Sequence, residues 1–171
     1  SKSTLFDGRM VATVSAWYVD WKDLQVQTAV ANSPVSAVQN FGEARSIGIE
    51  VDTSVNVTED FVIRAAVAVM DPQYKDGFIE GEATAACGEF VNTIITTPGC
   101  SAEVGGNTIS RTSDFQASIS GTYTVPEIIQ DYDMYSRGDF SHEAAEFDTG
   151  LNFATQGAMN LAKARVRLVS G

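Results

Sequence analysis

Apolar and polar residues alternate with a period of two along most of this chain. From Gly42 to Val57, Ile47, Ile49, Val51, Val55 and Val57 fall on one side of the alternation and Ser46, Glu50, Asp52, Ser54 and Asn56 on the other. Such a pattern predicts a β-strand with one apolar and one polar face, and this run exceeds the usual strand of about five or six residues. The same reading predicts strands at Arg9 to Lys22 (Met10, Ala12, Val14, Ala16 and Tyr18 on one face) and at Phe61 to Asp71 (Phe61, Ile63, Ala65, Val67 and Val69). Three more follow: Asp114 to Val125, Tyr132 to Glu143, and Met159 to Val169. The last sets Ala162, Ala164, Val166 and Leu168 against Lys163, Arg165 and Arg167. Helical periodicity is scarce.

The connections sort by length. Gln25 to Gln39, Pro72 to Arg111 and Ala144 to Gln156 are long and polar or irregular, whereas Thr58-Glu59-Asp60 and Pro126 to Asp131 are short. Long and short alternate strictly. In an antiparallel meander that places every long loop on one rim and every short turn on the other, as in outer-membrane β-barrels. The strand length then has a cause. A tilted strand needs about nine to eleven residues to cross the hydrocarbon. The face toward lipid must be apolar, and the face toward the lumen can carry Glu50, Asp52, Arg64, Arg137, Asp139, Lys163, Arg165 and Arg167. Trp17, Tyr18 and Trp21 sit where the first strand enters a long loop, the place for an aromatic girdle. A secreted β-sandwich acting as a binding or adhesion module is the alternative, since it also has alternating strands. Its strands are usually shorter and its loops do not sort onto two rims.

Composition narrows the function classes. The 171 residues include 22 acidic and 11 basic side chains, a formal net charge of −11. That excludes nucleic acid as an expected partner, because phosphate binding requires a basic surface. Mean hydropathy is −0.03, which suits a soluble globule and equally a barrel whose faces average out. No apolar run is long enough for a transmembrane helix. Ser1-Lys2-Ser3-Thr4 does not open a signal peptide, so the chain is expected to start as a mature protein or inside a larger one.

Two cysteines, Cys87 and Cys100, lie in the long middle loop. The spacing reads as a disulfide formed in an oxidising compartment; two free thiols is the competing reading. A zinc site is not expected, with one histidine and no paired C-x-x-C motif. His142 alternates away from its neighbours Ser141 and Glu143, so no local triad forms, and it reads as a rim or lipid-interface residue. Neither G-x-S-x-G nor a Walker loop appears, so no enzymatic activity and no cofactor are expected.

Particular stretches carry a resemblance. "LFDGRMVATVSAWYVDWKDLQVQ" (Leu5 to Gln27) followed by "NFGEARSIGIEVD" (Asn40 to Asp52) resembles the barrel of TonB-dependent outer-membrane receptors. The family pattern falls on Asp7-Gly8-Arg9, Trp17-Tyr18, Trp21-Asp23-Gln25, Asn40-Gly42-Ala44 and Gly48-Glu50. "FVIRAAVAVMDPQYKD", "YSRGDFSH" and "NLAKARVRL" resemble further strands of that barrel. The resemblance implies an all-β fold, an antiparallel up-and-down meander of about six long strands forming an arc of a transmembrane β-barrel. Residues 1–171 are then a partial barrel without the plug domain or the closing strands. It implies energy-coupled uptake of a scarce small-molecule ligand, such as a ferric siderophore or similar chelate. Implied partners are outer-membrane lipid and lipopolysaccharide, the receptor's own plug domain and, through it, TonB.

Overall fold

The computed structural model describes residues 1–29, 36–80, 101–129, 131–148, 150, 152 and 154–170. Among these residues every regular element is a β-strand. The strands are β1 (Lys2–Leu5), β2 (Met10–Ala29), β3 (Ser36–Asn56), β4 (Phe61–Tyr74), β5 (Phe78–Glu80), β6 (Ser101–Glu103), β7 (Phe115–Ile129), β8 (Tyr132–Glu143), β9 (Glu146–Phe147), β10 (Thr155–Gln156) and β11 (Met159–Ser170). Seven form one antiparallel sheet in the order β1-β2-β3-β4-β7-β8-β11. The remaining four make two small hairpins, β5–β6 and β9–β10.

The six long strands stand where the alternation puts them, in meander order. The register carries each face across the sheet. Val14 opposes Val51, Val51 opposes Val67, and Val67 opposes Ala117. One residue along, Thr13, Asp52, Ala66, Ser118, Ser141 and Leu161 form a row on the other face. Directly opposed residues share a face, so the period of two in each strand becomes two chemically distinct surfaces.

The aliphatic face is not covered. Tyr18 is 61% exposed, Ile49 47%, Val67 40% and Ile119 50%. The buried hydrophobics among the described residues are Ala44, Tyr74 and Val104, with Leu24 and Ile109 packed at their margin. A β-sandwich buries this face against a second sheet; among the described residues no such sheet is present. A soluble domain of this size hides its branched aliphatics in a core, and this chain displays them on one continuous wall.

Several elements outrun the sequence reading. β2 continues to Ala29 and β3 begins at Ser36, so much of the expected Gln25–Gln39 loop is a strand ladder. Register shifts at Trp21/Leu24 and Leu24/Gln25, with Asp23 at φ 53°, let the pair bend and go on. β7 passes Pro126 to reach Ile129 because a bulge between Val125 and Ile129 removes the ladder bond that proline cannot make. Glu127 takes φ 51° there, and its N–H is satisfied by Asp133 Oδ1 at 3.0 Å. β1 was not expected; it has only four residues, too few for periodicity to register.

The connections keep their two rims. Phe6 to Arg9, Val57 to Asp60 and the β7–β8 turn lie at one end of the sheet. The strand ends that lead into the β2–β3, β4–β7 and β8–β11 connections lie at the other. The first two turns are tied together, for the Arg9 guanidinium donates to the carbonyls of Asn56 and Val57.

Candidate functional site

The polar face is the candidate site. Its rows follow from the register. Glu50 stands between Ser15 and Ala68. Asp52 is one row nearer the turns, between Thr13 and Ala66. Arg64 opposes both Ser54 and Ser120, Ser120 opposes Asp139, and Asp139 opposes Lys163. Arg137 opposes Arg165, and Tyr135 opposes Arg167. All eight charged residues read from the sequence as lumen candidates therefore share one face. Together this face hollows into an open cavity of about 570 Å³, lined among others by Asp52, Arg64, Arg137, Asp139, Lys163 and Arg165.

Pairing within the cavity is uneven. The Arg137 Nε donates to both Asp139 oxygens, at 2.8 and 3.1 Å, and its Nη2 reaches Oδ1 as well. Residues two apart on a strand point the same way, so this pair needs no tertiary partner. Nearer the long-loop rim, Gln116 Nε2 donates to Glu143 Oε1 at 3.0 Å. Arg64, Lys163, Arg165 and Arg167 have no carboxylate within 4.0 Å among the described residues.

The expected aromatic girdle is corrected in part. Tyr18 opposes Ile47 and stands on the aliphatic face, but Trp17 opposes Gly48 and Trp21 opposes Ala44, both on the polar face. Parity in the strand decides this, since odd-numbered positions of β2 before its bulge follow Thr13 and Ser15. Trp17 fits because Gly48 lacks a side chain: a Cβ there would lie 2.2 Å from Trp17 Cζ2. The aromatics that do flank the aliphatic face were missed. At the turn end Phe61 meets Tyr123 edge-on across β4–β7, ring centroids 6.2 Å apart, and Tyr132 starts β8 nearby in the meander. At the loop end the Phe115 ring lies 5.8 Å from His142, whose Nδ1 is 2.8 Å from Asn160 Oδ1. Noting which aromatics share parity with the branched aliphatics would have found them.

The long-loop rim has its own architecture. After β4 the chain folds back on itself: Tyr74 N–H donates to Asn107 O at 2.9 Å and Gly106 N–H to Tyr74 O at 2.8 Å. This seats Val104 over Ala44 and Tyr74. Asn107 Nδ2 donates to Gly150 O at 2.9 Å and Arg111 N–H to Phe147 O at 2.7 Å, linking the bases of two long loops. Lys75 Nζ bridges Glu43 Oε2 at 2.9 Å and Asp20 Oδ1 at 3.0 Å. Those hydrogen bonds, first Glu43 and then Asp20, hold the Lys75 amine above its ordinary value. Cys87 and Cys100 lie outside the described residues. Among the described residues no cluster of histidine, cysteine and carboxylates could hold a metal ion.

Comparison with known proteins bears on this arrangement. The family model described as "TonB dependent receptor-like, beta-barrel" matches residues 2–165. No curated protein sequence matches. Among solved structures, the chain is similar to the ferric yersiniabactin uptake receptor FyuA from Yersinia pestis, with TM-score 0.64 and 14% identity over 92% of this chain and 20% of that one. The ferric preacinetobactin receptor BauA from Acinetobacter baumannii aligns with TM-score 0.63 and 13% identity, over 96% of this chain and 21% of its own. The siderophore receptor PiuA from the same organism aligns with TM-score 0.63 and 15% identity, over 97% and 20%. The chain thus spans about a fifth of the length of these receptors. With one uncovered aliphatic face, one polar concave face, loops sorted onto two rims and a family match over nearly its whole length, the chain belongs to the TonB-dependent receptor β-barrel family.

Proposed function

We propose that residues 1–171 are a section of wall in an outer-membrane transporter that takes up a scarce ligand, a ferric siderophore, using energy delivered through TonB. Membership of the family places the chain in the outer membrane. The observation that carries the reading is the inverted burial: branched aliphatics outside and charges inside a single sheet. On β3 and the first residue beyond it the aliphatic face runs from Ile47 to Val57. At about 3.3 Å per residue and a tilt near 40°, that run stands about 25 Å tall, the height of the apolar band of such barrels. Tyr18 above and Phe61, Tyr123 and Tyr132 below would then meet the two headgroup regions. The same band would be bathed by lipid and, on the outer side, lipopolysaccharide.

The sheet has two edges, β1 and β11. Along β11, about six N–H and six C=O groups point away from β8. Each would cost several kcal/mol if left bare in hydrocarbon. Further strands beside β11 would satisfy those groups, and in 22-stranded outer-membrane transporters the closed lumen holds a plug. Two of the similar structures are receptors named for ferric yersiniabactin and ferric preacinetobactin, which supports a ferric chelate as ligand class here. The test uses the intact receptor in an iron-limited host. Uptake of a radiolabelled ferric siderophore panel should require both the receptor and TonB. Uptake unchanged by loss of the receptor, for hydroxamate, catecholate and carboxylate chelates alike, would overturn the proposal.

A further inference from the structure

Residues 104–114 lead back into β7 as an irregular ribbon held on both flanks. On one flank it bonds to the end of β4. Tyr74 N–H donates to Asn107 O at 2.9 Å, Ile109 N–H to Pro72 O at 3.0 Å and Gly106 N–H to Tyr74 O at 2.8 Å. That end of β4 is itself fixed. Lys75 Nζ bridges Asp20 and Glu43, and the Lys75 N–H donates to Glu43 O at 2.8 Å. On its other flank the ribbon holds the β8–β11 connection. Asn107 Nδ2 donates to Gly150 O at 2.9 Å, and Arg111 N–H to Phe147 O at 2.7 Å. Asn107 is therefore a junction. Its carbonyl serves β4, its N–H donates to Val104 O, and its side chain serves the neighbouring connection.

Two features make these bonds a coupling and not only a contact. Gly150 is buried, so without Asn107 Nδ2 its carbonyl loses a donor away from water. Arg111 takes φ 55°, a left-handed conformation that a non-glycine residue keeps only where its surroundings impose it. The bond to Phe147 O pins the Arg111 N–H in that conformation. Release of residues 147–150 therefore frees Arg111 to leave it. When Arg111 leaves it, Phe147 O in turn loses its donor. The Arg111–Asp148 ion pair, 3.6 Å between largely exposed side chains, adds little, because water screens it.

We propose that the bases of the β4–β7 and β8–β11 connections are one cooperative unit, in which a change in either is carried to the other through Asn107 and Arg111. Such coupling is reciprocal. A solute that orders one connection thereby orders the second without touching it, whatever that solute is. The test follows amide hydrogen exchange, resolved by residue with mass spectrometry, in the full-length receptor in detergent and without ligand. Asn107→Asp keeps the side chain's shape and removes its donor. It should speed exchange of the Asp148 amide, which donates to Ala154 O, by at least about fivefold. Asn107→Ala should do the same. In the reverse direction, Asp148→Pro should speed the Gly106 and Ile109 amides, which bond to β4 and not to the second connection, by a similar factor. Asp148→Asn cuts only the ion pair and should leave the Gly106 and Ile109 amides unchanged. The Ser118 amide, in the ladder of β7, should keep its wild-type protection throughout. An Asp148 amide unmoved in both Asn107 variants, or Gly106 and Ile109 amides unmoved in Asp148→Pro, overturns the proposal. So does a loss of protection that reaches Ser118, because the connections then open only together with the sheet.

Discussion

Replacing Val51 by arginine separates a membrane wall from a soluble sheet. Val51 is 39% exposed, opposite Val14 and Val67. It lies four residues from Ile47 and six from Val57. At about 3.3 Å per residue and a tilt near 40°, that puts it roughly 10 Å from the upper limit of the aliphatic band and 15 Å from the lower. It is therefore close to the bilayer midplane. An arginine on the lipid face at that depth costs about 2–4 kcal/mol, or on the order of 30- to 900-fold in the folding equilibrium. On a water-exposed sheet the same change should stay within about 0.5 kcal/mol. The assay is guanidinium unfolding of the full-length receptor from phospholipid vesicles, with Asp52→Asn as the neighbour on the opposite face. Val51→Arg should lose about 2–4 kcal/mol and Asp52→Asn under about 1. If Val51→Arg is indistinguishable from wild type, the aliphatic face does not meet hydrocarbon and the wall reading is wrong.

Other contacts make further predictions. Gly48→Ala places a methyl 2.2 Å from Trp17 Cζ2, so the indole must move; a cost of about 1–3 kcal/mol and a shifted fluorine resonance of 5-fluorotryptophan at position 17 are expected, and an unmoved resonance would refute the contact. Gly42 has φ 149°, and a Cβ there would meet Asp76 O at 2.6 Å and Gly77 Cα at 2.8 Å. Gly42→Ala should therefore speed hydrogen exchange at Glu43 and Lys75, whose amides donate to Asp76 Oδ1 and Glu43 O, and unchanged protection would count against that corner. The raised value of Lys75 means that its bridge is at full strength below the ordinary lysine value of about 10.4 and is lost only as pH rises through the higher folded one. Near pH 10.4, acetylation of Lys75 should accordingly lag far behind that of an ordinary lysine, a difference that Glu43→Gln should narrow; equal rates in the wild type would refute the bridge.

The strands and their two faces were legible in the sequence because period-two alternation is local. Each residue declares its face without reference to a partner, and sorting of the connections by length then gives the two rims. β8 matches its predicted span of Tyr132 to Glu143 for this reason. The family was legible too, from short motifs around the first two long strands. Where strands stop was not legible. β2, β3 and β7 continue through polar or proline-containing stretches because a neighbour pairs with them and bulges absorb the irregularity, and pairing is a property of two segments at once. One neutralised charge was local: Arg137 claims Asp139 two residues along its own strand, although the tertiary register sets Lys163 directly across from it. Tertiary structure set Trp17 against Gly48, residues 31 positions apart in the chain, where alternation alone gives the face but not the space to occupy. And it buried Tyr74 with Val104 and Ala44, since a core depends on how far the chain folds back, which no local pattern encodes.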